Sequence, residues 1–181
     1  MQRFSNDKTA KPLRHYGAVL LALLTLSWAA PTGLRADPIA GSGDQLENLF
    51  NTLGATTSVD DAERTIRQIW QIWVTNNDDA TNIRMMQRGI NFMDSGNLAI
   101  AEEVFSQIIN RDSTYTEAWN KRATVRYLRN DLAGSERDIY EVLMRESRHF
   151  GAMAGLGLIK MQQGRLAEAL TIYKDILTIN P

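Results

Sequence analysis

Cysteine is absent from the 181 residues, which excludes disulfides, thiolate metal ligands and cysteine nucleophiles together. Histidine is almost absent: there are two, and one of them, His15, lies in an N-terminal segment that reads as a targeting sequence. The remaining His149 cannot supply a zinc ligand set by itself, and a histidine-based hydrolytic triad would rest on it alone. Its position at the junction of two sequence units fits capping or packing better than catalysis. No glycine-rich phosphate loop is visible. The carboxylate pairs Asp60-Asp61, Asp78-Asp79 and Glu102-Glu103 read as a helix start, a loop and two side chains about 100° apart on one helix. No acid–base pair can be nominated, and nothing calls for a metal or a cofactor. A hydrolase is thus the least supported reading.

Long apolar runs are also missing, with one exception. Gly17 to Ala30 is apolar over 14 residues and follows the basic residues Arg3, Lys8, Lys11 and Arg14. It falls short of the roughly 20 residues that span a bilayer. Pro31 and Gly33 break it, and Leu34-Arg35-Ala36 offers a small residue before Asp37. These are the three parts of a secretory signal peptide over residues 1–36, with cleavage expected after Ala36 and the mature protein in the periplasm or secreted. An uncleaved membrane anchor is the competing reading. The formal net charge is −1. Removal of residues 1–36 takes five basic residues and one acidic one, leaving 15 basic, 20 acidic and a net charge of −5. That sign gives no electrostatic reason to bind nucleic acid or an anionic membrane.

What is present is periodicity. After a flexible lead from Asp37 to Gly43, Leu46, Leu49, Phe50 and Leu53 predict a short helix. Ser58, followed by Asp60, Asp61 and Glu63, predicts a capped second helix with Ile66, Ile69, Trp70 and Trp73 on one face. The Trp pair reads as core that shields the first repeat unit from water, with ligand stacking or a membrane interface as the alternative. From Asn82 onward the chain repeats every 34 residues. Residues 82–115, 116–149 and 150–181 align without gaps. Gly89, Ala123 and Gly157 share a column; so do Gly96, Asn130 and Gly164, then Leu98, Leu132 and Leu166. Ala101, Ser135 and Ala169 align, as do Phe105, Ile139 and Tyr173, and Ile108, Val142 and Ile176. Small residues let two antiparallel helices approach, and Gly or Asn allows a left-handed turn between them. Such a pair cannot bury its apolar face alone, so units must stack.

These columns resemble the tetratricopeptide repeat. Trp119 fills its Trp column, shared by Met85 and Met153; Leu156-Gly157 matches its Leu-Gly, and Phe92 its aromatic. The whole is also similar to small exported tetratricopeptide proteins of Gram-negative bacteria, through segments like Ile69-Trp70-Gln71-Ile72-Trp73 and Arg148-His149-Phe150-Gly151-Ala152. The resemblance implies an all-α fold: a right-handed superhelical α-solenoid of three helix pairs, preceded by one or two N-terminal capping helices within residues 37–81. It implies a non-enzymatic interaction module with a protein or peptide partner. The concave groove would be lined by Met86, Ile90 and Met93, then Asn120, Thr124, Tyr127 and Leu128, then Ala154, Leu158, Met161 and Gln162. Its methionines suit varied apolar partners; the competing reading is that flanking elements cover this face. Clamping of a C-terminal carboxylate is disfavoured, because Met86, Ile90, Gly151 and Gly155 stand where basic residues would be needed and only Lys121 is basic.

Two further expectations concern charge and the last helix. Arg122, Arg126 and Arg129 share one helix face and could dock an acidic partner, but Asp138 is placed to pair with Arg122. Arg129 reads as solvated, and Arg88 is expected to lean on Glu103. The final helix is expected to leave part of Leu170, Tyr173, Ile176 or Leu177 uncovered, open to a partner or to weak self-association.

Overall fold

A computed structural model describes residues 42–180. The expected signal peptide, its cleavage after Ala36 and most of the lead lie outside the described residues. All regular structure within them is helical, in eight helices: α1 (Ser42–Ala55), α2 (Val59–Thr75), α3 (Ala80–Asp94), α4 (Leu98–Arg111), α5 (Thr116–Leu128), α6 (Leu132–Arg145), α7 (Phe150–Gln162) and α8 (Leu166–Ile179). None of these is long and apolar enough to cross a membrane.

Local chemistry sets the boundaries. Ser58 caps α2 by accepting from the Asp61 N–H at 3.3 Å. Asp79 caps α3 from the Thr81 N–H at 2.7 Å, and Asp131 caps α6 from the Gly134 N–H at 2.9 Å. The chain turns between α3 and α4, α5 and α6, and α7 and α8 at Gly96, Asn130 and Gly164, with φ of +77°, +64° and +75°. That conformation is cheap for glycine and tolerated by asparagine.

Three helix pairs, α3–α4, α5–α6 and α7–α8, stack in order into an α-solenoid. The small-residue column is explained by what lies opposite it. A Cβ on Gly89 would stand 2.5 Å from Cε1 of Phe105, and one on Gly157 would stand 2.7 Å from Cζ of Tyr173. In the middle pair the opposing residue is Ile139, and the column accepts Ala123. Aromatic bulk in the second helix thus demands glycine in the first. Ser135 adds a specific tie, its hydroxyl donating to the Ala123 carbonyl at 2.8 Å.

The helices α1 and α2 do not simply prolong the stack. Leu46, Leu49, Phe50, Leu53, Ile69, Trp70 and Trp73 form one core with Phe150, Ile176 and Ile179. This hairpin therefore folds from the start of the array to its last pair, and α1 touches α8. Tyr115 anchors the junction. Its hydroxyl donates to the Val74 carbonyl, and burial pushes its phenol pKa upward.

The basic run along α5 and its C-cap is paired with carboxylates of neighbouring helices. Arg122 donates to both Asp138 oxygens, from Nε at 2.9 Å and Nη2 at 2.8 Å, and to the Ser106 hydroxyl at 3.2 Å. Arg126 bridges Asp138 and Glu102 at 2.8 and 2.9 Å, and Arg129 pairs with Glu102. Arg129 is exposed, as expected, and is paired as well. The expected lean of Arg88 on Glu103 is not formed: Arg88 lies over the Phe92 ring, 5.4 Å from its centroid, while Glu103 accepts from Gln107.

Asp138 is buried beneath two guanidinium groups, so removing it leaves buried positive charge. Asp138→Ile should cost about 3–5 kcal/mol in urea unfolding. Adding Arg122→Leu should recover most of that loss, because the Leu156 and Ile172 columns of the last pair already hold this apolar combination. A double variant no more stable than the single one would contradict this account.

Candidate functional site

The first helices α3, α5 and α7 present the face from which a groove was expected, and the N-terminal hairpin occupies part of it. At its centre Glu117 on α5 and His149 ahead of α7 are both fully buried. His149 caps α7: its Nδ1 accepts the Ala152 N–H at 3.1 Å. That places the proton on Nε2, which donates to Oε2 of Glu117 at 3.1 Å. The other Glu117 oxygen receives Asn120 Nδ2 at 3.1 Å and lies 3.2 Å from Lys121 Nζ. Burial by itself would raise the Glu117 pKa. The Lys121 charge and the His149 hydrogen bond outweigh it, with Asn120 adding to them, and hold the carboxyl below its ordinary value.

The hairpin closes over this polar centre with aromatic rings. Trp73 stacks on the His149 imidazole, with centroids 3.9 Å apart and planes 13° from parallel. Trp70 meets His149, Phe150 and Trp73 edge-on, and Lys121 Nζ sits 5.2 Å from a Trp70 ring centroid. Gly151 lets Trp70 in: a Cβ there would stand 2.5 Å from Cη2 of the indole. Arg148 holds α1 from outside, donating to Glu47 at 2.7 Å and lying 4.1 Å from the centroid of Phe50. The Trp pair is thus core, and both indole N–H groups are buried without a hydrogen-bond partner among the described residues. The apolar area of the two rings offsets that cost.

The expected groove residues are consequently divided. Met86 and Ile90 are buried in the core formed by Phe105, Ile108, Tyr115 and Val125, and Met93 packs against it half-buried. Met86 and Ile90 cannot meet a partner on this surface, because α5 stacks against α3 and takes their side chains into the core between them. Ala154 is buried as well. Further along, Asn120, Thr124, Tyr127, Leu128 and Leu158 do converge. They line a shallow recess open to solvent, together with Ala123, Ser135, Ile139, Gly151, Ala152 and Gly155. Leu128 is 53% exposed at its rim. Met161 and Gln162 are exposed but stand outside this lining, and Gln162 donates to Asn130 at 3.2 Å.

Gly151 and Gly155, which the columns placed where a carboxylate clamp would need basic residues, line the recess, whereas Ala123, Ser135 and Ile139 were expected only as packing between paired helices and Ala152 had no groove expectation. The recess is uncharged. The ionisable groups beside it, Glu117 and Lys121, are spent on each other and on His149.

Two outcomes test this arrangement. Gly151→Ala forces Trp70 to shift and should destabilise the protein by about 1–3 kcal/mol, as overpacking does, with a change in tryptophan emission. The Glu117 pKa is depressed on folding, so its stabilisation is complete above the unfolded value of about 4.3 and is lost as pH falls through the folded value. Unfolding free energy should therefore decline on the acid side below about pH 4, and Glu117→Gln should flatten that decline. An unchanged acid slope in the Gln variant would assign it to other carboxylates.

No protein-family model matches the chain. A protein of Rhizobium etli, named as a TPR repeat-containing protein, is 28% identical over 137 residues, covering 76% of this chain and 67% of that protein. The all-helical stack of pairs, the left-handed turns recurring every 34 residues and this similarity all agree with the resemblance to tetratricopeptide repeat proteins.

Proposed function

We propose that this protein is a non-enzymatic interaction module of the periplasm, whose recess between α5 and α7 takes an apolar peptide or the apolar face of a partner helix. In this reading residues 1–36 are a cleaved signal peptide and residues 37–81 a lead with capping helices. Residues 82–115, 116–149 and 150–181 are three repeat units on a right-handed superhelical path. The resemblance to tetratricopeptide proteins supports protein partners in general.

The observation that carries the choice of surface is that the N-terminal hairpin leaves Thr124, Tyr127, Leu128, Gly155 and Leu158 accessible around an uncharged depression. Gly155 lets a backbone or a broad side chain approach closely. Leu128 and Leu158 supply apolar walls, and Tyr127 and Asn120 supply polar atoms that can fix orientation. With no basic side chain in the lining, an acidic peptide or a terminal carboxylate finds no counter-charge.

Selection from a displayed library of random peptides should enrich sequences with two or more apolar anchors and little charge. Leu128→Glu or Tyr127→Ala should weaken the best binder about tenfold or more, within the range for central interface residues. Helicity and thermal midpoint should be unchanged in Leu128→Glu, since Leu128 is exposed. Enrichment of acidic peptides, or binders insensitive to both substitutions, would refute the assignment to this recess.

A further inference from the structure

The stacked pairs carry their own standard of comparison for how one unit is covered by the next. In α4, Leu98, Glu102, Phe105 and Ile109 face α5; in α6, Leu132, Glu136, Ile139 and Leu143 face α7. The same columns in α8 hold Leu166, Leu170, Tyr173 and Leu177. Ile109 is buried and Leu98, Leu132 and Leu143 are half-buried, whereas Leu166, Leu170 and Leu177 are 64%, 57% and 61% exposed. The four α8 residues fall within about 60° on the helix and form a single stripe.

One column changes chemistry between the internal contacts and this end. Glu102 pairs with Arg126 and Arg129 of the following pair, and Glu136 with Lys160 and Gln163. The equivalent residue of α8 is Leu170, which cannot make such a pair. The columns that answer the glutamate, Arg126 with Lys160 and Arg129 with Gln163, are occupied in α3 by Phe92 and Ser95. The first pair is therefore also altered, in the complementary sense. The charge pair of both internal contacts becomes an apolar pair, Leu170 with Phe92, only when the last helix of one copy meets the first pair of another. The front of α3 is accessible for this: α2 touches it far less than α4 touches α5. Phe92 is half-buried, and Arg88 and Ser95 are exposed.

We propose that the stripe Leu166-Leu170-Tyr173-Leu177 of one copy packs head-to-tail on Met85, Phe92 and Ser95 of a second copy, in the register of the internal repeat contacts. The contact is heterologous, so copies add in one direction. The same register brings Arg88 near Lys174, an exposed like-charged pair that keeps the association weak. This face is separate from the recess, so either reading can fail without the other.

The absence of cysteine makes the test clean. Sedimentation of the purified protein should show a mass that rises with concentration. Leu170→Glu should weaken association about tenfold or more by burying an unpaired carboxylate against apolar side chains. Leu170→Glu combined with Ser95→Arg should restore it, by rebuilding the Glu102–Arg129 pair between copies. Both positions are exposed, so folding is retained, and circular dichroism confirms that separately. In a second measurement, Leu170→Cys with Ser95→Cys should give an oxidation ladder of dimer, trimer and higher species, while either single variant gives at most a dimer. A concentration-independent monomer mass overturns the proposal. So does loss in Leu170→Glu without recovery in the double variant, the outcome of a two-fold α8–α8 contact or of a different partner helix.

Discussion

Each second helix of this protein carries an apolar strip that its own pair cannot cover, and the molecule is organised by what covers each strip. The strip of α4 is covered by α5 and that of α6 by α7. The inner faces of α5 and α7 would then remain open, and α1 and α2 take part of that surface. Once these assignments are made, two groups of apolar side chains remain accessible together where the covering rule does not reach: the recess beyond the hairpin and the outer stripe of α8. A solenoid has no central core into which such surface could be drawn, since each pair meets chiefly its neighbours.

The hairpin changes that quasi-linear picture. By joining α2 to α5 and α7, and α1 to α8, it ties the beginning of the array to its end. The tie is centred on a buried carboxylate whose oxygens are satisfied by Asn120, Lys121 and His149. A charge in such a place is tolerated only with this many partners. His149 serves twice, as the cap of α7 and as the surface on which Trp73 stacks. Loss of this centre would reach three elements together, so the hairpin and the last pairs should unfold as a unit rather than fray independently.

Much of this was legible in the sequence because it is periodic. The 34-residue spacing located the left-handed turns at Gly96, Asn130 and Gly164. The placement of Asp138 opposite Arg122 in the columns indicated their pairing, and Ser58 with its following carboxylates marked the start of α2. What escaped was non-periodic. Nothing in the repeat says that α2 crosses to α7, because that contact links Trp70 to Gly151 across 81 positions with no recurring pattern. The misplacement of Met86 and Ile90 has the same origin: their columns line a groove in the family the chain resembles, while here both side chains lie in the core between α3 and α5. Several of the other residues that the columns grouped do line one recess. Thr124, Tyr127, Leu128 and Leu158 lie beyond the reach of the hairpin, where the periodic rule still holds.

The distribution of charge bears on what kind of recognition remains possible. Arg122, Arg126 and Arg129 are paired with Asp138 and Glu102, and Lys121 with Glu117. These groups are thus spent within the fold: the Glu102 contacts fix the register of one pair on the next, while Asp138 and Glu117 tie residues within the α5–α6 pair and within α5. A surface left in this state discriminates by shape and by the cost of burying polar groups that find no partner. The same reasoning separates the two kinds of contact that the pairs can make. Inside the array, Glu102 and Glu136 demand a cation from the following helix, which enforces order among pairs that are otherwise alike. At α8, Leu170 removes that demand and makes burial of apolar area the whole criterion. Specificity at that end must then come from the spacing of the stripe along the helix, a property that a substitution can alter without disturbing the fold beneath it.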